Sequence, residues 1–481
     1  MRNHTFLWHD YETFGVNPRR DRPAQFAAIR TNAALEEVGE PMMLYCQPAP
    51  DFLPDPQSCL ITGITPQECL QKGIPEYQFA QQIEQALGAS GTIGVGYNTI
   101  RFDDEVTRFM FWRNLIDPYA REWQNQCGRW DLLDVVRTAH ALRPEGIQWP
   151  LNDEGKPSFR LEHLTAANGI AHTSAHDALS DVRATIGIAR LIQQHQPKLF
   201  DFCLDLHKKE RVAQEIGLHL PQPERKPFLH ISGMFGVERG CTAIVWPLAQ
   251  HPTNKNEVIV WDCAFDPEEL FSLGSDSAAI ALRLFSKASD LPEGVLRLPI
   301  KTIHLNKSPM VIGNLKTLSP ARAEHWGIDV AANLTNAAKA AQGPDMRAVW
   351  EEVFGRQDFA TVDVDEDLYG GFIGSEDRKQ LNQLRQFSPE KLAGARCHFH
   401  DPRLEELLFR YRARNFPTTL DEEEQERWFA HCADRLLEGV GGVRNVDTFL
   451  AELDQLQAQA TEEQLPILEM LAEYAEMIIP S

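Results

Sequence analysis

Two acidic side chains sit two residues apart inside the apolar run Phe6-Leu7-Trp8-His9-Asp10-Tyr11-Glu12-Thr13-Phe14, near the start of the chain. A short run this rich in aromatic side chains favours a β-strand, and residues two apart on a strand share a face. Asp10 and Glu12 therefore project together from a mostly buried strand. Burying two like charges is costly unless something cationic neutralises them. A hard divalent cation with oxygen ligands does this best. The plainer alternative is a D-x-E at a strand end, in water. Which holds depends on whether further chemistry-bearing residues converge on the same place.

The chain has 481 residues, enough for two to four domains. Over the first 195 residues strand-like runs (FLWHDYETF, QFAAIRTN, TIGVGYN) alternate with helical ones (DDEVTRFMFWRNLI, SFRLEHLTAANGI, AHDALSDVRATIGIARLIQQH). TPQECLQKG opens a helix with Thr65 and Glu68 at capping-box spacing. This alternation predicts an α/β sheet. Between 200 and 350 the runs PFLHISGMF, CTAIVWPL, NEVIVWD and VLRLPIKTIHL are short, β-like and broken by Pro, Gly and Asn, with short helices expected near 319–355. FATVDVDEDLYGGF connects this region to a tail in which apolar residues recur every three or four positions, as in amphipathic helices. No apolar run approaches the roughly 18 residues of a membrane span, and MRNHTFLWHDYETFG lacks the apolar core of a secretory signal. The nine cysteines are scattered without a C-x-x-C, which predicts neither a zinc site nor a disulfide framework and fits a reducing cytoplasm.

Two further acidic elements join Asp10 and Glu12. Asp103 follows the strand-like TIGVGYN in Y-N-T-I-R-F-D, with Phe102 expected to point inward and set its direction. Asp104 and Glu105 read as helix N-terminal charge. Farther on, His176 and Asp181 stand five apart in H-D-A-L-S-D. Positions five apart diverge by about 140° on a helix, so His176 belongs at the helix start or its lead-in loop and Asp181 one turn further in. Four carboxylates and one His match two-metal phosphodiester hydrolysis. Two Mg²⁺ ions on Asp10, Glu12, Asp103 and Asp181 would flank a scissile phosphate, and His176 would take the proton of the attacking water.

The ordered motifs resemble the DEDD superfamily of 3′→5′ exonucleases, in the subgroup with His in its last motif, and within it the bacterial exodeoxyribonuclease I family. The strings that carry the likeness include HDYETFG, DRPAQFAAIRT, LITGITPQE, GYNTIRFDDEVTR, RWDLLDVVR, PSFRLEHLTAANGI, AHDALSDVRATI, HISGMFG and RNFPTTLDEEEQERW. The resemblance implies an RNase H-like nuclease domain over 1–195, an SH3-like β-rich domain over 196–355 and a C-terminal helical domain over 356–481. It implies processive 3′→5′ digestion of single-stranded DNA to 5′-mononucleotides with Mg²⁺ (Mn²⁺ as a substitute), in repair and recombination, by a cytoplasmic monomer. Asp10, Glu12, Asp103 and Asp181 correspond to the metal carboxylates, with Glu12 also at the substrate, and His176 to the general base. Arg160 corresponds to a substrate-phosphate contact, and Arg108, Tyr119, Trp123 and Arg137 to DNA contacts. The family also binds the acidic C-terminal peptide of single-strand-binding protein, and Arg143 lies in a further matching string, ALRPEGI (141–147). The same active-site chemistry would serve an RNA exonuclease, because two-metal hydrolysis does not discriminate the sugar. A catalytically dead scaffold would lack one of the five residues, and all five are present.

The formal charge of −22 argues at first against a nucleic-acid partner. Its placement changes that inference. Residues 401–481 hold 18 acidic and 7 basic side chains, half of the net charge. Between 101 and 160, nine Arg/Lys are interleaved with nine aromatics, the composition of a single-strand channel. Phe109 and Trp112 fall at core spacing, whereas Tyr119 and Trp123 follow Asp117-Pro118 and are better placed for stacking. Arg410, Arg412 and Arg414 form a basic island in the acidic tail, open to a groove or to an ion pair with Glu406.

Overall fold

The computed structural model describes residues 4–172, 177–221, 224–355 and 362–480. It divides into two compact units that are discontinuous in sequence: Met1–Gly128, His172–Thr185 and Phe359–Ser481 form one, Arg129–Ala171 and Ile186–Asp358 the other.

In the first unit, strands β1 (Thr5–Thr13), β2 (Pro23–Thr31), β3 (Met42–Tyr45) and β4 (Thr92–Gly96) lie in the order β3-β2-β1-β4. β1 is antiparallel to β2, with Asp10 opposite Ala27 and Glu12 opposite Gln25, and parallel to β4. The β1–β2 register slips just after Glu12, before the strands pair again at Thr13 and Pro23, so the ladder is irregular where the carboxylates stand. Apolar side chains on one face of β1 (Leu7, Tyr11) pack with Phe26, with Phe79 and Ile83 of α3 (Glu76–Gly88), and with Val106 and Met110 of α4 (Asp103–Arg113). By strand alternation Asp10 and Glu12 face the other way. The chain leaves β4 through a turn in which Asn98 takes a left-handed conformation, φ 67°. A Cβ on Gly96 would lie 2.6 Å from the His9 carbonyl oxygen, so only glycine lets β4 run this close to β1 before the turn.

Two short helices, α1 (Pro56–Thr62) and α2 (Pro66–Lys72), complete the N-terminal part of this unit; Thr65 caps α2 by accepting from the Glu68 backbone, as its sequence predicts. Cys59 and Cys69 on them join Phe14 and Phe52 in a core shared with Leu436, Phe449, Leu468 and Leu471 of the C-terminal helices. The acidic tail therefore folds onto the N-terminal region by its apolar stripe. Phe109 and Trp112 are core, as their spacing predicts; Leu368, Leu404 and Leu407 pack against them.

The basic island does not open to a groove. Arg410 pairs with Glu406 at 2.7 Å and with Asp363 at 2.8 Å, and Arg412 pairs with Glu424 at 2.6 Å. Arg414 pairs with the fully buried Asp51 at 2.7 Å and also with Asp365. Burial alone would raise the Asp51 carboxyl, but Arg414, His431 and Arg22 hold it well below the usual range. The ion-pair alternative is the correct one, with partners beyond Glu406 that no local spacing shows.

In the second unit, β6 (Phe228–Ile231), β7 (Thr242–Gln250), β8 (Glu257–Asp262), β9 (Ile300–His304) and β10 (Met310–Ile312) form an antiparallel sheet in the order β10-β6-β7-β8-β9. The four β-like runs of the sequence account for β6 to β9; β10 is too short to stand out. The expected helices follow as Pro320–His325, Val330–Ala341 and Arg347–Val353. This unit also contains β5 (Gly128–Asp131) from Arg129 onward, α5 (Leu132–Leu142), α6 (Leu161–Ala167) and the later part of α7 (Ala178–His195). Among the described residues no helix is long and apolar enough to cross a membrane, and every cysteine is a free thiol.

Candidate active site

Three elements of the first unit bring the carboxylates together: the end of β1, the start of α4 and the first turn of α7. Asp10, Glu12 and Asp181 each offer an oxygen, and these oxygens all lie within 4.8 Å of one another. Asp103 reaches the same strand from α4, where its Oδ1 accepts the Tyr11 backbone N–H at 3.1 Å, between the two β1 carboxylates. Phe102, just before it, packs into the core as expected. Thr107 locks this corner: its Oγ1 donates to the Asp103 carbonyl oxygen at 2.8 Å and lies 3.0 Å from the Tyr11 hydroxyl.

The electrostatics register the crowding. Burial, then the charges of Asp103, Glu12 and Asp181, push the Asp10 carboxyl well above its ordinary value. Burial, then Asp181, Asp103 and Asp177, push Glu12 up to about 8. Such a cluster disfavours full ionisation and is relieved by a bound cation. Its all-oxygen donor set suits a hard divalent ion rather than a thiophilic one. Glu12 is buried and Asp10 partly so, as the spacing of the two implies, and this is not a D-x-E in water.

Asp104 stands in the first turn of α4, as the sequence predicts, but it does not face solvent. It is buried and paired with the buried Arg121 at 2.5 Å, which ties α4 to the segment after Pro118. His9 lies against this pair, and burial, followed by Arg121, lowers it to about 4. Glu105 pairs with Arg108 at 2.9 Å.

His176 lies outside the described residues; α7 begins two positions later, at Ala178. Asp177 accepts the Ser180 backbone N–H at 3.1 Å through its carboxylate and the Asp181 N–H at 3.0 Å through its carbonyl oxygen. It thus closes the helix start, and it also adds negative charge at Glu12.

The other singled-out residues separate by environment. Trp123 is 65% exposed at the end of the turn Ala120–Glu122, and Tyr119, at its start, is half-buried. Arg108 is buried, pairs with Glu122 at 2.8 Å and sits 5.2 Å from the Tyr119 ring centre, so its guanidinium braces Tyr119. In the second unit, Arg160 is exposed, with only a loose 3.7 Å contact to Glu162. Arg137 pairs with Asp134 at 2.6 Å and lies over Gly233, where a Cβ would come within 2.8 Å of the guanidinium carbon. Arg143 donates to the Thr317 carbonyl oxygen at 3.0 Å.

Three residues with a claim on the site escape the sequence reading. Tyr369 receives a hydrogen bond from Arg108 at 3.0 Å and donates one to Glu105. Phe372, 88% exposed, packs tilted against Tyr119 with ring centres 5.9 Å apart. His172 contacts Asp181. The first two depend on chain-distant neighbours, with an aromatic-rich segment before a helix as their local signal; His172 depends on a residue nine positions on that belongs to another motif.

Comparison with known proteins shows which family the chain resembles. Residues 7–189 match the family model described as Exonuclease, 207–356 the Exonuclease I SH3-like domain and 362–478 the Exonuclease I C-terminal domain. The chain is 45% identical to exodeoxyribonuclease I of Escherichia coli (strain K12), covering 99% of this chain and 98% of that one. It is 43% identical to the Haemophilus influenzae exodeoxyribonuclease I, with 98% of each covered. Among solved structures, E. coli exonuclease I in complex with a dA16 oligonucleotide superposes with a TM-score of 0.92 at 45% identity, covering 99% of this chain and 100% of that one. A moderately thermophilic exonuclease I from Methylocaldum szegediense gives 0.93 at 46%, with the same coverage.

Proposed function

This chain belongs to the exodeoxyribonuclease I family, and from that membership we propose how its own residues degrade single-stranded DNA from the 3′ end to 5′-mononucleotides. It is a hydrolytic nuclease: an exonuclease domain followed by an SH3-like domain and a C-terminal exonuclease I domain. The observation that carries the proposal is the convergence of Asp10, Glu12 and Asp181 within 4.8 Å, with Asp103 braced against the strand between the first two.

The exonuclease domain implies dependence on a divalent metal. The donors fit two Mg²⁺ ions, with Mn²⁺ as a substitute, held by Asp10, Glu12, Asp103 and Asp181. When bound, the ions supply Lewis-acid stabilisation of charge on the scissile phosphate and the leaving 3′ oxygen. The protein's part is to hold the carboxylates in place before substrate arrives, and β1, α4 and α7 do so from three directions. Glu12, near the end of β1, is the carboxylate we place nearest the terminal nucleotide. His176 is the proposed acceptor of the attacking water's proton, since an imidazole titrates near working pH.

Trp123 and Tyr119 offer ring faces to bases, and stacking of this kind contributes about 1–3 kcal/mol per base. Arg160, exposed and loosely held, is available to a phosphate. Arg108 and Arg137 are engaged by carboxylates, so their contribution to DNA binding is to position the ring or backbone beside them. The acidic C-terminal peptide of single-strand-binding protein is the proposed protein partner, with Arg143 at its edge, and we place domain boundaries near 195 and 355.

The test is digestion of 3′- and 5′-labelled single-stranded and duplex DNA, with Mg²⁺ or EDTA. Stepwise loss from the 3′ end of the single strand only, abolished by EDTA, is expected. Attack from the 5′ end, or activity in EDTA, would overturn the proposal. Matched RNA oligonucleotides address the sugar: faster decay of RNA than DNA would replace this substrate with the RNA alternative.

A further inference from the structure

Asp181 is restrained at both its backbone and its side chain. Asp177 receives the Asp181 N–H, which fixes where α7 starts. At the other end of the residue, Oδ1 of the Asp181 carboxylate meets Nε2 of His172, whose side chain is only 8% exposed. His172 stands nine positions before Asp181 and is not part of the helix. It belongs to none of the acidic motifs, and the chemistry assigned above does not use it.

A terminal carboxylate rotates freely about its last torsion, because that torsion has no sharp staggered wells. In this cluster rotation has a preferred outcome. Asp10 and Glu12 repel Asp181, and an unrestrained carboxylate would turn its charge toward solvent. An N–H donor on one oxygen removes that freedom and keeps the other directed as the helix start dictates. Outer partners of metal ligands act in this way, and losing one typically costs about 10–100-fold in metal affinity or activity.

We propose that His172 is a positioning residue for the metal centre: its Nε2–H donates to Asp181 and fixes that carboxylate in the orientation that completes the oxygen cluster with Asp10 and Glu12. The proposal rests on reading the cluster as a divalent-metal site. It separates reach from polarity. Glutamine carries an N–H donor at about the distance of Nε2, whereas asparagine has the same amide and cannot reach Asp181.

The experiment is calorimetric titration of Mn²⁺ into the full-length wild type, His172→Gln and His172→Asn, with thermal melts of each in EDTA. The expected result is Mn²⁺ binding weakened about 10–100-fold in His172→Asn and kept within a few-fold of wild type in His172→Gln, with all three melting alike in EDTA. A purely structural role would move the EDTA melts and leave the affinity unchanged. Wild-type affinity in His172→Asn, an equal loss in both variants, or tighter binding in either would overturn the proposal, the last by showing that the imidazole competes with the ion. Wild type that binds no Mn²⁺ would remove the metal reading itself and this proposal with it, a failure distinct from the others.

Discussion

Glu12→Gln should stabilise the metal-free protein while abolishing its activity. In the fold, burial and three neighbouring carboxylates move Glu12 from 4.5 to about 8. Each pK unit is about 1.36 kcal/mol of differential interaction, so the 3.5-unit difference caps the penalty for ionising Glu12 near pH 8 at roughly 4–5 kcal/mol. Relaxation and water entry around a buried charge reduce such penalties, and roughly 2–3 kcal/mol is the gain we expect from removing it. The sign follows from linkage. The folded value is raised, so the stabilising contribution of the protonated carboxyl is fully present below about pH 4.5 and is lost as pH rises toward about 8. Glutamine has nearly the same shape and no charge to lose. Thermal melts in EDTA from pH 5 to 8.5 should therefore show wild type falling behind Glu12→Gln progressively, by several degrees at the alkaline end and hardly at all at pH 5. Adding Mg²⁺ should raise wild type most at high pH and Glu12→Gln much less, because the variant has lost both the repulsion and a ligand. A Glu12→Gln protein that melts below wild type in EDTA at pH 8 would refute the claim that unneutralised carboxylates destabilise this site.

Asp181→Asn and Asp10→Ala should each lower the rate of single-strand digestion by several powers of ten at saturating Mg²⁺; near-wild-type gel kinetics from either would exclude it as a ligand. Trp123→Ala should weaken binding of a single-stranded oligonucleotide by about 1–3 kcal/mol, the value of one stacked base, measured by fluorescence anisotropy in Ca²⁺ or EDTA, and an unchanged affinity would remove Trp123 from the strand path. Arg414→Met should cost about 3–5 kcal/mol in chemical denaturation, because it leaves Asp51 and Asp365 buried without their main partner; a loss below 1 kcal/mol would show that the network is not cooperative. Those two carboxyls are held low, so their contribution should persist at neutral pH and fail only on acidification below about pH 4; a loss already complete at pH 6 would contradict it.

The acidic charge that seemed to oppose nucleic acid is distributed by the fold. Part is clustered where cations can neutralise it, and part is consumed internally, as Asp51, Asp363 and Asp365 meet Arg410 and Arg414. The basic island of the tail was ambiguous in sequence for this reason. Two arginines four apart on a helix share a face, but whether that face meets DNA or buried aspartates is set by segments fifty or several hundred residues away.

Local sequence alone established the strand that bears Asp10 and Glu12, their common face, the helix that opens at Asp103 and the identity of the family. Each follows from a short-range rule: a period of two along a strand, capping at a helix start, or an ordered motif. It also separated core rings such as Trp112 from an exposed ring, Trp123, through helical spacing and the break at Pro118. Tertiary structure alone decided what those residues touch. It set Asp103 against the Tyr11 N–H, buried Asp104 on Arg121, turned Arg108 toward Glu122 and brought His172 to Asp181. Hydrogen bonds and ion pairs act over about 3 Å in space and are indifferent to separation along the chain, so a sequence can name the groups that will react while only the packed chain determines which of them meet.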